Sequence, residues 1–168
     1  MTEGGNFDSP DALMAEAKKY EKNLLNFFCR QGVSSFEGED LVQETYLRLW
    51  NYRDRYRRAA KLSTFLFFLA RQVRIDALRR QTRREARESK WGEDQPDTQL
   101  PKLCVREDVR WALSQLSEVH REIIELGVFQ DLPYAEISEI LSIPTGTVKS
   151  RMSNALKKLK EVFDERGS

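Results

Sequence analysis

LPYAEISEILSIPTGTVKSRMSNALKKLK, from Leu132 to Lys160, is the stretch whose spacing decides the fold. Pro133 opens a short helix that runs through Leu141, with Ile137, Ile140 and Leu141 facing inward. Ser142, Ile143 and Pro144 make a tight turn, with Ile143 plugging it. Thr145 caps a final helix reaching to about Phe163. Val148, Met152, Leu156 and Leu159 recur at four, four and three residues and give that helix a buried stripe. The other face presents Thr145, Thr147, Lys149, Ser150, Arg151, Ser153 and Asn154. A short helix, a tight turn and a second helix with a polar, basic outer face form a helix-turn-helix. Arg and Lys reach guanine edges and phosphates, and Ser, Thr and Asn bond bases or backbone. A solvated amphipathic helix would show the same stripe. Residues 140–160, however, hold five cations and no anion, which favours DNA.

Helical spacing continues on both sides. Val109, Leu113 and Leu116 define a helix from near Arg106, and Ser117 caps the next, which carries Ile123, Ile124 and Val128. Upstream, Trp91 to Cys104 has Gly92, Pro96 and Pro101 among Glu93, Asp94 and Asp97, with no period, and reads as a linker. Before it, Ser63 or Thr64 caps a long helix toward Glu88, with a stripe of Phe65, Leu66, Leu69, Val73 and Leu78. Phe67 or Phe68 must then emerge toward a surface or fill a contact between helices. Arg79 and Arg83 share one face of this helix, and Arg80 and Arg84 another. Together they make a positive ridge suited to phosphates. A helix from about Glu39 to Arg53 turns Val42, Tyr46, Leu49 and Trp50 inward, and a first helix opens at Ser9-Pro10 and runs through Phe28 to Gly32. No stretch alternates as a strand does. The expected fold is all-α: a helical domain over 10–90, a flexible linker over 91–105, and a second helical domain with the helix-turn-helix over 106–163.

Charge follows the same division. The chain has 28 cations and 27 anions in 168 residues, a net charge of +1. That sum argues against a nucleic-acid binder until it is resolved along the chain. Residues 1–52 carry 5 cations and 9 anions, residues 53–90 carry 13 and 4, and residues 91–168 carry 10 and 14. Local clustering, not the total, sets the field a phosphate meets.

Catalysis finds little support. The single histidine, His120, sits beside Arg121 and Glu122 and reads as a solvated helix residue. No Gly-rich phosphate loop and no metal-type spacing appears. No catalytic residue, metal, cofactor or small-molecule substrate is therefore expected. Cys29 and Cys104 are far apart and read as reduced, structural thiols. The longest apolar run, Phe65 to Ala70, falls well short of the roughly 20 residues a membrane span needs. The polar N-terminus has no apolar h-region. A cytoplasmic protein with no direct membrane insertion is expected.

Three segments resemble the extracytoplasmic-function (ECF) sigma factors, bacterial transcription-initiation subunits. Asp40-Leu-Val-Gln-Glu44, with Tyr46 and Trp50, is similar to the family's conserved-region-2 helix. Phe65 to Arg71 through Ile75 to Arg79 is similar to its promoter-melting and minus-ten helix, and Leu132 to Ile137 through Gly146 to Arg151 to its region-4 helix-turn-helix. The resemblance implies that Asp40, Gln43, Glu44 and Trp50 dock on core RNA polymerase, which the family meets through the beta-prime and beta subunits. It implies that Ser63, Thr64, Phe65, Arg71, Gln72, Asp76, Arg79, Arg80, Arg83 and Arg84 engage the minus-ten element. The region-4 helix would read the minus-thirty-five element of promoter DNA. Control by an anti-sigma factor is implied as well. The family usually has Trp where Phe65 stands and commonly Asn where Gln72 stands. The connector over residues 54–62 is short and lacks glycine.

Two other readings compete. One is a polymerase-independent helix-turn-helix regulator, a dimer on palindromic half-sites. The other is a sigma-like decoy that titrates an anti-sigma factor, which would not need the intact basic surfaces.

Overall fold

A computed structural model of the chain describes residues 9–56, 61–88 and 106–167. The predicted linker over 91–105, Cys104, the middle of the 54–62 connector and the N-terminal eight residues lie outside the described residues. Eight α-helices and one π-helical turn make up the described residues, with no strand among them.

The first predicted helix is two. Ser9 caps α1 (Pro10–Lys18) by accepting from the Ala12 amide, and α2 (Glu21–Arg30) follows after a bend. At the bend the Lys19 and Tyr20 amides bond three residues back, to Glu16 and Ala17. Leu13 and Ala17 are buried before it and Leu24 and Phe28 after it, so one apolar stripe serves two helices. Gly32 ends α2 with φ 95°, a conformation glycine adopts without strain.

Ser34 caps α3 (Ser35–Tyr52), four residues earlier than the spacing predicts. Leu41, Val42, Tyr46 and Leu49 are buried, while Trp50 is 37% exposed and not part of the inner face. The Tyr46 hydroxyl donates to the Ala17 carbonyl at 3.3 Å, and burial followed by the charge of Glu21 pushes it up to about 12.

The long α4 (Leu62–Glu88) starts before Ser63, so neither Ser63 nor Thr64 is its cap. Thr64 is buried and its hydroxyl has no hydrogen-bond partner. Phe67 is buried against Phe27, ring centroids 5.6 Å apart, and Phe68 is half-buried. The rings between 65 and 68 thus mainly fill helix contacts.

The C-terminal half holds α5 (Glu107–Ser114), α6 (Glu118–Ile124), the π turn Glu125–Phe129, α7 (Tyr134–Leu141) and α8 (Thr145–Gly167). Ser117 caps α6 through the His120 amide. Leu116 follows α5 and is buried, whereas Val128 is exposed. The turn after α7 is left-handed at Ser142, φ 55°, and its amide bonds back to Ser138. Thr145 is the first residue of α8 rather than its cap. The buried stripe of α8 is Val148, Met152, Ala155 and Val162, with Leu159 packed against the core and Leu156 46% exposed. α8 packs closely on the π turn at Gly127, where the Met152 methyl fills the space a Cβ would take. α8 outlasts its predicted end, with Arg166 over the Trp111 ring at 4.7 Å. The buried residues of both halves form one contiguous core, and α4 packs against α7.

Candidate nucleic-acid interface

α3 and α4 lie antiparallel, because Arg48 meets Asp76 and Glu44 meets Arg80 across them. Arg48 Nη2 is 2.7 Å from Asp76 and 3.2 Å from Glu44 on its own helix. Burial alone would lower the Arg48 pKa, but these two carboxylates raise it, and the Arg48 hydrogen bond holds Asp76 below its ordinary value. Two expected site residues, Glu44 and Asp76, are therefore brought together as ion-pair acceptors between helices. Arg80 reaches Glu44 at 3.4 Å.

Beyond this tie, Arg79, Arg80, Arg83 and Arg84 are all exposed on α4. Arg84 pairs with Glu88 at 3.2 Å. At about 100° per residue, Phe65, Phe68, Gln72, Arg79 and Arg83 fall on one side of the helix. Phe65 and Phe68 stack with centroids 6.4 Å apart, and Tyr56 and Tyr52 close on Phe65 at 5.1 and 6.2 Å. The ridge thus begins at a cluster of four half-open rings. Ser63 is half-buried beside it. Thr64 and Arg71 face another way. Arg71 donates to Glu122 of α6 at 2.6 Å, and Thr64 lies seven residues before it on the same side.

Asp40, Gln43 and Trp50 are exposed on α3, and Arg53 stacks on the Trp50 ring at 4.3 Å. Phe36, 78% exposed, and Leu47, 63% exposed, were not expected there. Residues 36, 40, 43, 47 and 50 recur at four, three, four and three, the spacing of a helix face made to meet another helix. That spacing is visible in the sequence once the helix is known to begin at Ser35.

On α8, Thr145, Lys149, Ser150, Ser153 and Asn154 are exposed, and Thr147 and Arg151 are half-buried. The Ser150 hydroxyl bonds the Thr147 carbonyl at 3.2 Å. All seven lie on the first part of α8, and Lys149, Ser150, Ser153 and Asn154 face away from Val148.

Residues 17–84 match the family model for sigma-70 region 2 and residues 112–161 that for sigma-70 region 4. The ECF RNA polymerase sigma factor SigL of Mycobacterium tuberculosis is 31% identical over 153 residues, covering 86% of this chain and 84% of that protein. The ECF RNA polymerase sigma factor RpoE of Cereibacter sphaeroides is 29% identical over 156 residues, 90% of this chain and 86% of that one. The sigma factor RpoE from Bartonella quintana, solved in complex with the anti-sigma factor NepR, superposes with a TM-score of 0.75 at 24% identity, over 89% of this chain and 95% of that one. CnrH, solved with the cytosolic domain of CnrY, gives a TM-score of 0.70 at 19% identity, over 94% of this chain and 91% of that one. Two sigma-70 domains in this order, an all-helical fold and a relative of this identity along most of the chain place the protein among the ECF RNA polymerase sigma factors.

Proposed function

We propose that the protein binds core RNA polymerase through α3, holds the minus-ten strand along α4 and reads the minus-thirty-five element with α8. The observation that carries this is the alignment of two surfaces on one antiparallel helix pair. α3 shows an apolar stripe of Phe36, Leu47 and Trp50 among Asp40 and Gln43. α4 shows four rings running into exposed arginines. An exposed apolar helix face suits docking on a partner protein, and rings beside a cationic ridge suit a single strand, because every base has a face to stack. Arg48 holds the two faces in register. Binding polymerase would place strand-holding and duplex-reading surfaces on one promoter, and the segment over 91–105 would make the second contact intramolecular.

The domains are read as 10–90 for polymerase and minus-ten contacts and 106–163 for minus-thirty-five contacts. The protein acts by binding, without catalysis, and works in the cytoplasm. No helix among the described residues is long and apolar enough to cross a membrane. Anti-sigma control is part of the proposal, supported by the anti-sigma factor NepR bound to the solved RpoE of Bartonella quintana. A run-off transcription assay with purified core polymerase tests it. Initiation from genomic promoter fragments is expected, and failure both to bind core and to initiate overturns the reading.

A further inference from the structure

α2, α4 and α6 enclose a cavity of about 220 Å³. From α4 it is lined by Arg71, Arg74, Ile75 and Leu78, which share one side of the helix. Phe27 and Gln31 close it at the end of α2, and Glu118, Val119, Arg121 and Glu122 close it from α6. Phe27, Ile75, Leu78 and Val119 give it an apolar wall. Three guanidiniums stand among the polar residues. Arg71 is already committed, since its Nε donates to Glu122 at 2.6 Å. The other two bond only carbonyls among the described residues. Arg74 Nη2 donates to the Gln31 carbonyl at 3.3 Å. Arg121 Nε and Nη2 donate to the Leu113 and Leu116 carbonyls, at the end of α5, at 3.1 and 3.2 Å.

Both of these arginines are half-buried. Burial lowers the pKa of each, and the Arg121 charge lowers that of Arg74 further, against a partial offset from Glu118 and Glu37. Two neighbouring cations taken partly out of water, with no carboxylate bonded to either, cost free energy that an anion would relieve. The helix-end carbonyls also hold each guanidinium by one edge, so its remaining N–H groups are set before a ligand arrives. Arginine forks match phosphate oxygens in pairs. Pockets for drug-sized ligands run to about 300–1,000 Å³, so this smaller one suits a compact anion rather than a whole nucleotide.

We propose that the cavity is a binding site for a small phosphate monoester, with the phosphate taken by Arg74 and Arg121 and the apolar body resting on Phe27, Ile75, Leu78 and Val119. Glu122 is neutralised by Arg71. Glu118 is exposed, makes no ion pair among the described residues, and opposes the ligand from the rim. The site stands apart from the promoter reading, since neither Arg74 nor Arg121 belongs to the polymerase-facing or DNA-facing residues above.

Titration of the full chain with phenyl phosphate and with inorganic phosphate, at constant ionic strength and followed by proton–nitrogen correlation NMR, tests the proposal. Saturable shifts are expected at the Gln31 and Val119 amides and the Arg74 side chain, with phenyl phosphate bound several-fold more tightly. Arg74→Gln should weaken phenyl phosphate about ten-fold, the worth of one charge-assisted hydrogen bond. Glu118→Gln should tighten it several-fold, because a repelling charge leaves the rim. Glu118 is exposed, so this second variant decides the matter even if Arg74→Gln unfolds. Arg83→Ala, on the exposed ridge of α4, should change nothing. Shifts confined to residues 79–84, a loss of binding that follows Arg83→Ala, or a Glu118→Gln no tighter than the wild type overturns the site. Equal affinity for the two probes overturns the monoester in favour of free phosphate. Run-off transcription keeps the two readings apart: a chain that initiates but shows no shift loses the site alone, and one that binds the probe without initiating loses the sigma reading alone.

Discussion

Glu125 sits in an apolar run, Ile123-Ile124-Glu125-Leu126, where burial disfavours the carboxylate more than Arg30 favours it. The result is a group pushed up to about 7 from an ordinary 4.5. A carboxyl raised in the folded state binds more protons there than when unfolded. Its stabilisation is complete below about 4.5 and is lost as pH rises through about 7. The charged group facing it from the N-terminal domain is Arg30. Melting of the wild type should therefore fall from pH 6 to pH 8 by more than melting of Glu125→Gln does, the difference being on the order of 1–2 kcal/mol. Equal slopes would mean Glu125 is ionised throughout. Arg151 is the residue-scale test on the DNA side. It is half-buried on the outer face of α8. Arg151→Ala should cost about 1–3 kcal/mol on a minus-thirty-five duplex if it makes a bidentate base contact. Loss spread evenly over unrelated duplexes would instead assign it to phosphate.

At the scale of elements, α3 and α4 depend on one another through Arg48. Asp76→Asn keeps the shape and removes the charge that Arg48 reaches at 2.7 Å. Asp76 is open enough that the pair is worth only about 0.5–1 kcal/mol. A drop of a few degrees in melting temperature is expected, and no drop would show that packing alone holds the helices. Leu47→Glu tests the stripe on α3. Leu47 is exposed and outside the core, so the fold should survive while core-polymerase binding falls by at least ten-fold. Unchanged binding would move the docking surface elsewhere. Much of this was legible in the sequence, for particular reasons. The helix-turn-helix shows because Val148 and Met152 keep helical spacing and Ser142 to Pro144 break it. The register of α8 drifts beyond Met152, because two steps of four overshoot two turns. A four-three alternation, which buries Ala155 and leaves Leu156 out, does not. The bend at Lys19 and Tyr20 has no Gly or Pro to mark it. Thr64 has the side chain of a cap but sits inside α4. The π turn leaves no period, and its buried Glu125 has a partner 95 residues away, which no local pattern reports.

For the whole molecule, the net charge of +1 divides into an acidic, a basic and an acidic block. The contact between the two domains gives some of the last block's acids a place, since Glu122, Glu125 and Glu136 pair with Arg71, Arg30 and Lys61 of the N-terminal half. Salt then acts on the protein twice. It screens the attraction between α4 and phosphates, and it screens the partly open pair that Arg71 makes with Glu122. A phosphate that reaches Arg71 displaces the Glu122 carboxylate, so fewer counterions are released there than at an unpaired arginine. A single strand contributes about 0.7 to the slope of log affinity against log salt for each phosphate neutralised. Glu122→Gln, which releases Arg71, should therefore show a slope steeper than that of the wild type by about 0.7. The curves of variant and wild type should converge as salt rises, because the Arg71–Glu122 pair and the attraction to phosphate are screened together. Parallel curves at all salt concentrations would mean the α4 arginines are as available in the wild type as in the variant, and the acids of the C-terminal half would then need another reason.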